Sequence, residues 1–189
     1  MRLDTVVVGG GVIGLAVARE LARRGVATAL LERHSRCGEG ITSRNSEVLH
    51  AGLYYGDDLP RKRRCCVRGK RLLYEYCEDR GVAHRRLGKI IVAPPGGEAG
   101  LDAIAEQGAR AGVLDLEKLT AADVASLEPE VVGAAGLLSP STGIVDGGAE
   151  IKPHFLEATT WIVREPVGRR AAAGAAWIIR GGGSRGDAA

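Results

Sequence analysis

Gly9, Gly11 and Gly14 stand in the pattern G-x-G-x-x-G, directly after the β-branched run DTVVV at 4–8. That spacing suits a phosphate. Gly9 permits a tight turn, Gly11 lets the backbone approach a pyrophosphate, and Gly14 allows close helix–strand contact, which Ala18 extends one turn later. A helix beginning here offers unpaired N–H groups and the positive end of its dipole. Glu32 lies 18 residues beyond Gly14, where a carboxylate can accept hydrogen bonds from both ribose hydroxyls and would repel a 2′-phosphate. The alternative is a glycine-rich turn that binds nothing; strand, helix and acid occurring together argue against it. NAD and FAD share this fingerprint, so the glycines leave the choice between them open.

A second constellation starts at residue 42, TSRNSEVLHAGLYY. Its hydroxyl, amide and backbone groups could meet phosphate or flavin polar atoms, and its two tyrosines could wall a ring. Asn45, Ser46, Val48, His50, Gly52, Tyr54 and Tyr55 form an N-S-x-V-x-H-x-G-x-Y-Y series. LLYEYC at 72–77, GKIIVA at 88–93 and LEPEV…STGIVD within 127–146 follow it. On these residues the chain resembles the FAD-dependent D-amino-acid-oxidase-like oxidoreductases, in particular their L-2-hydroxyglutarate dehydrogenase/oxidase branch. The resemblance covers residues 1 to about 146.

It implies an extended FAD whose ADP half rests on Gly9, Gly11, Gly14, Glu32 and Arg33. Ser43, Asn45 and Ser46 would lie beside the pyrophosphate, ribityl chain and flavin ring. Strands such as 88–93 would belong to a substrate-binding sheet. The implied reaction takes a hydride from C2–H of an L-2-hydroxy acid to flavin N5 and leaves a 2-oxo acid. A neutral imidazole suits removal of the hydroxyl proton. The resemblance brings His50 near the flavin, as that base, as a donor orienting substrate, or as a residue that only contacts the ring. Tyr54 and Tyr55 would line the ring or pack the sheet. A dicarboxylate needs cations; Arg44 and Lys89 are the candidates, with surface charges as the alternative. The electron acceptor, oxygen or quinone, is left open. An amine oxidase of the same superfamily and a non-catalytic fragment are the competing readings.

The elements that must position these groups follow from periodicity. Residues 4–8 and 26–32 read as strands and 12–24 as the helix between them, with Ile13, Val17, Leu21 and their neighbours on its apolar stripe and Gly25 ending it. Residues 59–80 read as an amphipathic helix capped by Asp57 or Asp58, with Pro60 in its first turn and Gly81 after it. Its recurring positions are Cys65/Cys66, Gly69, Leu72/Leu73 and Tyr76/Cys77. Residues 89–93 read as a strand closed by Pro94 and Pro95, 97–112 and 120–127 as helices, the second capped by Thr120, and 137–146 as strands and turns. The expected class is α/β: a Rossmann-like FAD-binding βαβ domain with part of an α+β substrate-binding domain. Residues 1–80 would be the cofactor part and 81–146 the partial substrate domain. Ala and Gly then fill 17 of the 43 residues from 147 to 189, which reads as an atypical, poorly ordered tail. Truncation or a change of reading frame would account for that shift.

Composition narrows the remaining classes. A net charge of +3 is too small to imply nucleic acid, and no apolar run reaches a membrane span. The four cysteines show no CxxC and no metal pattern, so the expectation is reduced thiols, no metal and a cytoplasmic setting. Arg61–Arg71 holds seven Lys or Arg in 11 residues and no acid. It reads as a solvated helix face, with peripheral membrane contact as the alternative; no interleaved aromatics offer nucleic acid a stacking platform.

Overall fold

The computed structural model describes residues 3–146 and the backbone of two further segments, 162–165 and 175–179. The chain divides into two compact units, Met1–Ser46 with Asp146–Ala189, and Glu47–Val145. The first begins with β1 (Thr5–Val8), α1 (Val12–Arg23) and β2 (Thr28–Glu32). β1 and β2 pair in parallel with Val6 beside Ala29, the arrangement a helical crossover produces. Thr28, Ala29 and Leu30 of β2 are buried.

Leu15, Ala18 and Ala22 form the buried stripe of α1, whereas Ile13 and Val17 are exposed, at 77% and 47%. The buried stripe thus runs through neighbours of the expected residues, with Ile13 and Val17 themselves turned outward. The reason is Gly14 and Ala18: small residues bring that side of α1 against the strands, and the branched residues beside them are turned away. Gly25, at φ +75°, ends the helix in the left-handed region that glycine tolerates.

Two strands from beyond residue 146 complete this sheet. β9 (Ile162–Glu165) and β10 (Ala175–Ile179) give the order β1-β2-β10-β9, with β10 antiparallel to both neighbours. The expectation of a poorly ordered tail otherwise falls outside the described residues.

The second unit holds two three-stranded antiparallel sheets. One has the order β3-β8-β4, from Val48–Leu49, Gly143–Val145 and His84–Arg85. The other has the order β5-β7-β6, from Ile90–Ala93, Ala135–Leu138 and Glu117–Thr120. Between them in sequence run α2 (Pro60–Arg80), α3 (Glu98–Arg110) and α4 (Ala121–Leu127). Leu101 of α3 packs with Ala93 and Leu137, and Ala51, Leu53 and Val113 form a second buried cluster. α4 has a full capping box, Thr120 with Asp123.

α2 departs from expectation at its start. Leu59 is its N-cap and no side chain caps it; Asp57 instead binds Arg63 at 2.7 Å. Its most buried residues are Tyr74 and Cys77, while Cys65 and Leu72 are exposed. The Tyr74 hydroxyl donates to the Ser141 carbonyl at 3.2 Å, and the Lys70 ammonium binds the Ser141 hydroxyl. These contacts join α2 to the 139–142 turn, and both lie in the compact unit Glu47–Val145. The architecture remains α/β in the first unit and α+β in the second.

Candidate functional site

The first unit carries a built loop between β1 and α1. Gly9 has φ +104°, and a Cβ on Gly14 would run into the Gly9 carbonyl oxygen. Only glycine lets the helix begin this close to the strand it follows. Gly11 is the N-cap of α1 and supplies no capping side chain, which leaves the first N–H groups directed out of the helix end.

Glu32 closes onto this loop from the end of β2. Its Oε2 accepts from the Gly10 N–H at 2.6 Å and its Oε1 from the His34 N–H at 2.9 Å. Burial pushes its carboxyl up, but the backbone N–H groups of His34 and Gly10 outweigh it and hold the group below its ordinary value. The carboxylate is thus fixed and ionised, and each oxygen keeps a further lone pair for a hydroxyl. Arg33 is turned outward, its Nε 3.3 Å from the His34 ring.

Thr42 was not among the residues singled out from sequence, yet it touches the helix end directly. Its Oγ1 accepts from the Val12 N–H at 3.0 Å and lies 3.1 Å from where a Cβ on Gly11 would be. It comes from the 3₁₀ turn Ile41–Ser43. Nothing local in TSRN marks that threonine; the contact spans 30 residues. Ser43 donates to the Gly40 carbonyl at 3.1 Å and Asn45 to the Thr42 carbonyl at 2.7 Å. Both stiffen the turn, and Ser46 follows them, exposed. Beside it a cleft of about 570 Å³ is lined by His34, Arg36, Cys37, Glu39, Ser43 and Arg44. Cys37 is buried against Gly10; burial, then the Glu32 charge, pushes its thiol up to about 11. It packs the loop as a neutral group and is no nucleophile there.

His50, Tyr54, Tyr55 and Lys89 belong to the second unit. His50 is exposed, and its carbonyl accepts from the Cys66 thiol at 3.4 Å. Lys89 stands over the Tyr54 ring, 4.6 Å from its centroid, and Lys62 over Tyr55 at 4.7 Å. The structure therefore joins Tyr54 with Lys89, while Tyr55 is engaged by a lysine of α2. Two backbone features of this segment escaped sequence reasoning. Glu47 has φ +56°, a position that costs a non-glycine residue roughly 1 kcal/mol. Gly52 has φ +97°, and a Cβ there would press on Val67 of α2. Among the described residues no group of His, Cys, Asp or Glu could hold a metal, and no helix is long and apolar enough to cross a membrane.

A helix N-terminus reached through glycines and a fixed carboxylate beside it fit the ADP half of a dinucleotide. Known proteins give the same direction. The profile described as "FAD dependent oxidoreductase" matches residues 4–151. L-2-hydroxyglutarate dehydrogenase of Arabidopsis thaliana is 44% identical over 146 residues, 77% of this chain and 30% of that protein. The Homo sapiens protein of that name is 39% identical, over 76% of this chain and 31% of its own length. The chain thus spans about a third of the curated relatives it matches. In three dimensions it is similar to the FAD-bound L-alpha-glycerophosphate oxidase of Mycoplasma pneumoniae, with a TM-score of 0.73 at 24% identity over 87% of this chain and 48% of that one. Glycine oxidase of Geobacillus kaustophilus gives 0.67 at 24% identity, over 82% and 43%. At that identity the two share the fold. On the profile match over most of its length, the chain belongs to the FAD-dependent oxidoreductase family.

Proposed function

We propose that this chain carries the FAD-binding part of an oxidoreductase that converts an L-2-hydroxy acid, of the L-2-hydroxyglutarate type, into its 2-oxo acid. The observation behind the reading is the β1–α1 loop with Glu32 bonded across it. Gly9, Gly11 and Gly14 admit the pyrophosphate to the α1 N-terminus, and Glu32 takes the ribose hydroxyls, with Arg33 beside it. Thr42, Ser43, Asn45 and Ser46 hold the turn that borders the phosphates. FAD, when bound, accepts the hydride released from C2.

The chain's own residues would bind and deprotonate the substrate. His50, exposed directly after β3, is the proposed acceptor of the hydroxyl proton or the donor that orients it. Lys89, over Tyr54, and Arg44, in the cleft, are the proposed partners of substrate carboxylates; Tyr55 would line the ring. Oxygen or a quinone is the electron acceptor, and a quinone would require peripheral contact with a membrane. The four free cysteines agree with a reducing compartment such as the cytoplasm. An amine as substrate has less support: the amine-oxidising likenesses share only the fold, whereas the hydroxy-acid dehydrogenases match at 39–44% identity.

The experiment is a spectrum. Purified chain mixed with FAD and freed of excess should keep flavin absorbance near about 450 nm, and L-2-hydroxyglutarate should bleach it without air. Retained flavin with no bleaching would refute the hydroxy-acid activity for this chain. No retained flavin would refute the cofactor site itself.

A further inference from the structure

Gly10 is a spacer in the G-x-G-x-x-G pattern, a position where the phosphate chemistry asks for no particular residue. In this chain it is crowded all the same. A Cβ there would lie 2.8 Å from the Cys37 sulfur and 3.0 Å from Glu32 Oε2. Glu32 ends β2, and Cys37 stands in the turn that follows it, within the same compact unit.

The Gly10 backbone is held by that same stretch of chain. Its N–H donates to Glu32 Oε2 at 2.6 Å, and its carbonyl accepts from the Gly38 N–H at 2.8 Å. Gly38 has φ +76°, so a left-handed turn presents that donor. In a trans peptide the carbonyl and the N–H point in opposite directions, and the described residues contain no cis bond. Two orientations follow. The Gly9 carbonyl points away from Glu32 and toward α1, where a Cβ on Gly14 would meet it. The Gly11 N–H points away from Gly38 and out of the loop. Thr42 takes the neighbouring Val12 N–H, whereas no acceptor among the described residues takes that of Gly11.

We infer that the turn Cys37–Gly38 is the positioning element of the pyrophosphate site. Gly38 aims the Gly11 N–H at the phosphates, and Cys37 is the wall that keeps position 10 free of a side chain. The inference rests on the FAD reading above and adds what orients the loop. The turn acts through the Gly10–Gly11 peptide, since its own bond goes to the Gly10 carbonyl. A neutral wall suits this place. The Cys37 thiol, raised by burial and then by the Glu32 charge to about 11, puts no second anion beside the carboxylate.

The test follows the Gly11 amide in protein carrying ¹⁵N-labelled glycine, assigned by comparison with Gly11→Ala, as ADP is added. In the parent that amide proton should move downfield, and the same protein should retain FAD. Gly10→Ala presses a methyl on the Cys37 sulfur. It should abolish the Gly11 response and weaken FAD binding on the order of tenfold, the worth of one hydrogen bond to a charged group. Gly10→Ala combined with Cys37→Ala removes the sulfur and should restore both. Cys37→Ala alone leaves the Gly38 bond in place and should behave as the parent. Circular dichroism should show unchanged helix content in every variant, which separates a turned peptide from a lost fold. A Gly11 amide that ignores ADP in a parent that retains FAD would overturn the inference and leave the cofactor reading standing. So would Gly10→Ala binding FAD as the parent does, or a double variant no better than Gly10→Ala. A parent that retains no FAD would overturn the cofactor reading and this inference with it.

Discussion

Glu32→Gln separates the charge of the loop carboxylate from its shape. In the parent, two backbone N–H groups donate to the carboxylate, Gly10 at 2.6 Å and His34 at 2.9 Å. A hydrogen bond to an ionised group contributes about 1.5–3 kcal/mol, nearer the lower value where solvent reaches it. Glutamine keeps a neutral acceptor for one N–H, worth about 1 kcal/mol, and turns an NH₂ toward the other. The expected loss is about 2 kcal/mol at pH 7. Its pH dependence carries the sign. The Glu32 carboxyl lies below its ordinary 4.5 in the folded chain. Its contribution is therefore complete above that value and is lost as pH falls through the folded one, where the protonated acid resembles the amide. Urea unfolding of parent and variant at pH 7 and at successive steps below 4.5 measures both quantities. The two curves should converge on the acid side. A gap that persists undiminished there, or no gap at neutral pH, would refute the reasoning that the charge is held by these two N–H groups.

Gly14→Ala drives a methyl into the Gly9 carbonyl and should cost about 2–3 kcal/mol by urea unfolding, with loss of flavin retention. Thr42→Val removes the acceptor of the Val12 N–H and should lower stability by about 1 kcal/mol, read from the urea midpoint. Thr120→Ala opens the α4 capping box and should cost about 1 kcal/mol in the same assay while leaving flavin retention untouched. Iodoacetamide labelling followed by mass spectrometry should modify exposed Cys65 well before Cys37, which is buried with its thiol raised to about 11.

The glycine fingerprint was legible because its chemistry belongs to the backbone. The turn at Gly9, the gap at Gly14 and the start of α1 at Gly11 follow from residues within one strand and one helix turn. The α4 cap was legible for the same reason: Thr120 and Asp123 are three residues apart. The buried side of α1 was not, because Ile13, Val17 and Leu21 repeat with a helical period as well as Leu15, Ala18 and Ala22 do. Only contact with the strands decides between them, and small residues win it by allowing the closer approach. The α2 cap failed differently. Asp57 and Asp58 stand one and two residues before the cap position, which Leu59 takes, and an arginine one turn into the helix gives Asp57 a charged partner. The strands Val48–Leu49 and His84–Arg85 carry two residues each, too few for any period to show.

The same distinction explains why the cofactor half of the site reads more clearly than the substrate half. A pyrophosphate is met by N–H groups that every residue but proline carries, so the sequence needs only to arrange their geometry locally. A substrate carboxylate or hydroxyl must be met by particular side chains, and here these come from far apart in the chain. Lys89 reaches Tyr54 across 35 residues, and that pairing leaves no trace in spacing. Residue types can nominate His50 or Arg44 for a role, but only the folded neighbours give the role a physical basis. Glu32 is a side chain whose place beside the loop was legible at a distance. It sits at the end of a strand whose parallel partner begins the loop, and parallel pairing brings those two ends together whatever lies between.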